Sequence, residues 1–378
     1  RSARGLAIQG DALAAAIPAM EAALRVYEKQ GRSPAEILRL RSLLVSLGWF
    51  ADRSLADRYG EETVRSLYHY SGMAAAVRLK PFVGKRLALF LGMAGAALRR
   101  AFAAGRRRGP RVGKALIYFI RCVTSLIGVR TIMVDARNVV ILARLADPLA
   151  GFGPKHSGQA IHLFCKCLAL YMLGRESDSD KLAEKAIALL GDPTACREME
   201  PETRQALLTG MWLQRGLNEC VADDSRALQV AGEIERVGSR IGDAAAHQIR
   251  MTYHLVRGEV EQTREHREKL EMHAMQGGTT WQVELFSAIH EGLLSGFHRD
   301  IVGIKRTVEN LLRISKDIPS LLPYLQIIRA LQLYHRGEYR EAGEIAEQLM
   351  GYMKPRQYIL WQVPYFIRAM AFVQLGEP

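Results

Sequence analysis

Several stretches of the 378-residue chain hold side chains at spacings that chemistry uses. Residues 108–115 read Arg-Gly-Pro-Arg-Val-Gly-Lys-Ala and include the Gly-Lys pair found in phosphate cradles. Such a loop needs glycine at its first place and a Ser or Thr hydroxyl after the lysine to reach magnesium. Arg108 and Ala115 occupy those places and no strand precedes them, so nucleotide binding is not expected. Cys165 and Cys167 stand two apart, about 200° around a helix, and cannot share one zinc ion. His266 and His273 lie two turns apart on one helix face, too far for a common metal unless a third element joins them. His290 and Glu291 lack the second histidine of a zinc-protease signature. Glu176, Asp178 and Asp180 alternate like the opening of a calcium loop, without the glycine and distal glutamate that loop needs. A helix N-cap at Asp178 or Asp180 is the better expectation. No local spacing unites a serine, a histidine and an acid. The residues predict no catalytic group, no cofactor and no metal, so the segment reads as non-enzymatic.

The net charge of +13 is concentrated in one region. Residues 63–134 contain no Asp or Glu and fourteen Lys or Arg, which leaves the rest of the chain near neutrality. Arg99, Arg100, Arg106, Arg107, Arg108, Arg111 and Lys114 form the densest part, and the arginine triplet lies between glycines, hence in a loop. Such a patch attracts an acidic domain of the same parent protein, an anionic membrane surface, or nucleic acid. Only Phe82, Phe90 and Phe102 interleave the basic residues of 78–114, which is poor for base stacking, so nucleic acid ranks last. The neighbouring apolar run, residues 87–98, is short of the roughly 20 residues that cross a bilayer. The five cysteines are sparse, odd in number and free of CxxC spacing, as buried thiols in a reducing compartment would be. The expected location is cytoplasmic, with peripheral membrane contact through residues 78–114 as an alternative.

The elements that position these groups are helices. With 49% hydrophobic and only 7% aromatic residues, rich in Ala and Leu, the composition favours packed helices over a β-sandwich. Residues 323–355 show the unit most clearly. Ile327, Ala330, Leu333 and Tyr334 fall three or four apart on one stripe. Gly337 marks a reversal, Ala342, Ile345, Ala346 and Leu349 line a second helix, and Pro355 ends it. Glycines 174, 216, 258, 296, 337 and 376 recur 38 to 42 residues apart, each expected at the turn of a helix pair. Upstream the pattern is looser. Pro18 should kink a first helix or delay its start. Ser33, Pro34 and Glu36 make a capping-box start. Residues 61–70 read as a short helix, and 113–127 with 129–145 as a pair. Residues 151–154 form a soft boundary between an N-terminal helical region, 1–150, and a repeat region, 151–378.

Ala330, Leu333, Gly337, Tyr339, Ala342 and Pro355 fill the places of the tetratricopeptide repeat, which this unit resembles. That resemblance implies an all-α solenoid whose stacked hairpins line a concave groove with their first helices. It also implies protein–protein interaction, with a peptide or domain captured in the groove. Trp212, Tyr253, Trp281, Tyr334 and Trp361 are candidate groove anchors, with core packing as the competing role for the tryptophans. Degenerate repeats near forty residues look like the C-terminal regions of large bacterial signalling proteins that carry a Ser/Thr kinase or a signal-transducing ATPase domain upstream. Both ends of the chain read as cuts in such a protein. Alternative readings are a module binding anionic lipid through residues 78–114, and a helical enzyme with a pocket inside the superhelix.

Overall fold

Proline, glycine and apolar spacing set the helix limits. The computed structural model describes residues 10–50, 53–60, 62–63, 110–150, 155–197, 199–222, 225–236, 240–277, 280–358 and 360–376. Every regular element among them is helical. The N-terminal helices are α1 (Gly10–Lys29), α2 (Pro34–Phe50), the single turn α3 (Arg53–Leu55) continuing into a π-turn at Ala56–Gly60, α4 (Pro110–Ile132) and α5 (Ala136–Ala150). Then follow α6 (Lys155–Met172), α7 (Glu176–Gly191), α8 (Pro201–Val221), α9 (Arg226–Arg236), α10 (Arg240–Val256) and α11 (Val260–Gly277). The chain continues through α12 (Thr280–Phe297), α13 (Ile301–Ser315), a 3-10 turn at Pro319–Leu321, α14 (Leu322–His335), α15 (Tyr339–Tyr352) and α16 (Gln362–Leu375).

Local chemistry explains the ends. At the start of α2, Glu36 accepts hydrogen bonds from the Ser33 hydroxyl at 2.6 Å and the Ser33 amide at 3.1 Å. These bonds hold the Glu36 carboxyl below its ordinary pKa. Asp300 caps α13, its Oδ1 accepting from the Gly303 amide at 2.9 Å. Four of the six spaced glycines sit at turns with positive φ: Gly174, Gly258, Gly337 and Gly376. The other two do not. Gly216 lies inside α8 and Gly296 inside α12, and the reversal after α12 is taken by Arg299, at φ 57°.

Other expectations shift as well. The α4–α5 break falls at residues 133–135, with Val134 at φ 55°, because Gly128 is buried within α4 instead of turning the chain. α1 runs unbroken through Pro18. Asp178 is not a cap. It stands in the first turn of α7 and pairs with Arg175 at 2.5 Å, where the helix dipole also favours a carboxylate. The expected helix at 61–70 and the apolar run 87–98 fall outside the described residues, apart from helical residues 62 and 63.

From α4 onward each described helix packs on its sequence neighbours, and alternate helices also touch: α4, α6, α8, α10, α12, α14 and α16 form one series, each against the next. That double pattern is what helix pairs stacked in chain order produce. The two helical glycines serve it. A β-carbon at Gly216 would meet the side chain of Ile249 on α10, and one at Gly296 would meet Leu331 on α14. Small residues there let consecutive first helices approach closely. α5 and α6 pack across the boundary expected at residues 151–154.

The stack also folds back on itself. The Ser320 hydroxyl donates to the Met133 carbonyl at 2.7 Å. Arg53 reaches Asp317, with Nη1 3.4 Å from its carbonyl and Nη2 3.7 Å from its carboxylate. The α6–α7 turn at Gly174 lies against Tyr358 and Trp361, just before α16. The main apolar core follows this closure. It joins Leu24 through Met211 to Leu285 through Ile367, while α9 and α10 pack around a separate core of Val230, Ile234, Ile249 and their neighbours.

Candidate interaction surface

Exposed large apolar groups lie on both members of the helix pairs, Val302 and Leu312 on α13 and Met275 on α11 among them, and the first helices α14 and α16 carry a share of them. On α14, Leu322 is 46% exposed, and Gln326, Arg329 and Leu333 continue its stripe at helical spacing. On α16, Tyr365, Phe366 and Val373 are exposed, Val373 at 74%. The opposite side of α16, with Pro364, Ile367 and Ala371, is buried against α14 and α15. Both helices are therefore amphipathic in the core-facing sense, yet their outer stripes are not purely polar.

The candidate anchors are placed unequally. Tyr253 is buried in the α9–α10 core, with the Arg257 guanidinium 5.4 Å from its ring centre. Trp212 is half-buried against the same core. Tyr334 is half-buried and meets Tyr339 edge-on at 5.3 Å across the turn. Trp361 is half-buried where the last helix meets Gly174, and its ring contacts Tyr365 at 5.8 Å. Trp281 is in α12, and nothing of its side chain is described. The structure does not gather the other four into one surface. Of the basic patch, Arg99, Arg100, Arg106, Arg107 and Arg108 lie outside the described residues, while Arg111 and Lys114 sit in the first turns of α4.

Two polar clusters lie between helices. In the first, Arg215 of α8 bonds Glu184 of α7 at 2.8 Å, with Asp180 3.9 Å and Glu219 4.0 Å from its Nε. Arg226 of α9 reaches Glu219 at 3.1 Å. Burial pushes the Asp180 carboxyl above its ordinary range, against the pull of Arg215. Two arginines thus hold three carboxylates as a clamp across three helices, which explains why Glu219 tolerates burial.

The second cluster is four imidazoles. His247 and His254 lie seven apart on α10, and His266 and His273 seven apart on α11. The rings alternate between the helices in the order His273, His247, His266, His254, with centroids 5.4, 5.3 and 5.4 Å apart. His247 Nδ1 is 3.2 Å from His266 Nδ1, and His254 Nδ1 is 2.6 Å from Glu259. His247 is thus the third element that sequence spacing could not supply for His266 and His273. No group of three or more metal-ligating side chains converges on a metal position among the described residues.

The cysteines Cys122, Cys165, Cys167, Cys196 and Cys220 are buried and outside any disulfide. Burial pushes the Cys122, Cys167 and Cys220 thiols up to about 12, so they stay protonated and unreactive near neutrality. No described helix is long and apolar enough to cross a membrane. No protein-family model matches the chain, and no curated protein or solved structure shows a significant match to it.

Proposed function

We propose that this chain is a tetratricopeptide-like solenoid acting as a protein-binding scaffold or sensor segment of a larger signalling protein. The carrying observation is the series of stacked first helices, whose last two members expose Leu322 on α14 and Tyr365, Phe366 and Val373 on α16. Exposed apolar groups on two contacting helices suit a partner's apolar side chains better than they suit water. The repeat spacing and the Gly337 hairpin support the repeat family; the stack of helix pairs supports a scaffold built on it.

The reading differs from a simple open groove. Contacts at Gly174, Met133 and Arg53 draw the later units against the earlier ones, so the docking surface is assigned to α14 and α16 instead of the full run of first helices. A Phe366→Asp/Val373→Asp double variant should lose at least about tenfold in recovery of co-purifying proteins, with its melting temperature within about 2 °C of the parent, since both side chains are already exposed. Affinity capture with quantitative mass spectrometry, alongside thermal melts, checks this. Unchanged recovery with the same stability contradicts the assignment.

A further inference from the structure

We propose that the α10–α11 hairpin is an acid-sensitive joint, held closed at neutral pH by its stack of four histidine rings and loosened when those rings take up protons.

The packing makes the rings structural. α11 is the most polar helix of the stack, and Leu270 is its one buried large apolar side chain among the described residues. Its apolar contact with α10 is the small group of Met251, Leu270 and Ala244. Met272 and Met275 of α11 are exposed. Beside it, four half-buried imidazole rings interleave from both sides of the seam.

The geometry at the centre of the stack is specific about protons. A 3.2 Å contact between the two Nδ1 atoms is a hydrogen bond only when one nitrogen carries a proton and the other is bare. Imidazolium has protons on both nitrogens, so charging the acceptor ring turns this bond into two N–H groups pointed at each other. Further uptake would line several positive rings about 5 Å apart.

The surrounding charges do not rescue the charged state. Arg250 of α10 and Lys269 of α11 oppose it at His247, and Arg250 opposes it at His266; Glu235 of α9 favours it at His247 and Glu265 of α11 at His266. Glu235 is already engaged by Arg250, Oε2 to Nη2 2.7 Å, and Glu265 by Lys269 at 2.5 Å. Glu259 bonds both His254 and Arg257. Burial and these neighbours lower His247 and His266 from their ordinary value to about 4. The folded form therefore binds fewer protons than the unfolded form between about pH 6.5 and 4. The stabilisation is complete above the unfolded value and is lost as pH falls through that window.

Opening this joint would separate α11 from α10, and with it one link between the middle and the last units, since α11 also packs on α12. Hydrogen–deuterium exchange of the whole chain at about pH 7.5 and pH 5, corrected for intrinsic exchange rates, tests the proposal. Exchange of α11 amides should quicken at least about tenfold at the lower pH, while α6 and α7 stay protected. A His247→Gln/His266→Gln variant should show no such acid response. Equal corrected protection of α11 at both pH values overturns the proposal, as does an acid response retained in the variant. Should that variant not fold, titration of the histidine Cε1 protons in the parent by NMR decides. Two resonances turning over below about pH 5 support the joint, and all of them turning over near pH 6.5 overturn it.

Discussion

Valine at Gly216 is expected to lower stability by about 3 kcal/mol, although glycine is a poor helix former. Helix propensity alone predicts the opposite sign, since even β-branched valine is a somewhat better helix former than an interior glycine. The packing decides. A β-carbon at Gly216 would lie 2.3 Å from Cδ1, 2.7 Å from Cγ1 and 3.1 Å from Cγ2 of Ile249, whose side chain is wholly buried. The isoleucine cannot swing away, so α8 and α10 must separate. Gly232 provides the control, because nothing lies within 4 Å of a β-carbon there and the residue sits inside α9. Gly232→Ala should raise stability by about 0.5–1 kcal/mol. Urea melts of the two variants should shift in opposite directions. A shared direction would mean that α8 and α10 are not in contact at this point.

Gly174→Ala is the second large effect, expected at about 3 kcal/mol, against about 1 kcal/mol for Gly337→Ala. Both glycines end a first helix at positive φ, 65° and 82°, so both lose the same conformational freedom on substitution. They differ in what lies beyond the chain. A β-carbon at Gly337 would meet nothing within 4 Å. One at Gly174 would lie 2.7 Å from the Tyr358 carbonyl oxygen and 2.9 Å from Trp361 Cδ1. A backbone oxygen does not give way as a side-chain end does, so the contact between early and late units must open. The difference between the two variants isolates that contact from turn strain. Denaturant melts measure it.

These glycines also show how far the sequence could be read. Residues 323–355 were legible because local signals agree: Ala342 and Ala346 are wholly buried, Gly337 turns at positive φ, and the helix limits follow. Gly216 and Gly296 gave the same near-regular spacing for another reason. Glycine near a helix end serves a reversal and a close helix contact equally well, and only the partner helix tells them apart. Arg299 and Val134 hid their turns because a left-handed residue without glycine leaves no local mark.

The histidine stack was half visible. The spacing of His266 and His273 placed them on one face, but the rings between and beside them come from α10, and hairpin register is not written in either helix alone. Closure of the stack was not legible at all. Met133 and Ser320 are 187 residues apart, and no periodicity reports that the fold brings them together. The roles of the aromatic anchors were open in the sequence for a related reason. Tyr253 and Trp361 stand where surface aromatics would, but the tertiary arrangement uses the first in a core and the second in the closing contact.

Helix pairs stacked in chain order, coiling until early and late units touch, are the claim on which everything above depends. A distance between spin labels on Arg175→Cys and Arg356→Cys tests it most directly. Both positions are exposed, Arg175 bonds Asp178, and Asp178 also feels the charge of Arg356. The buried native thiols should leave the labelling selective. A single short and narrow distance is expected, collapsing to a long, broad distribution in denaturant. A long distance in the native protein, with helix content intact, would contradict the coiled arrangement.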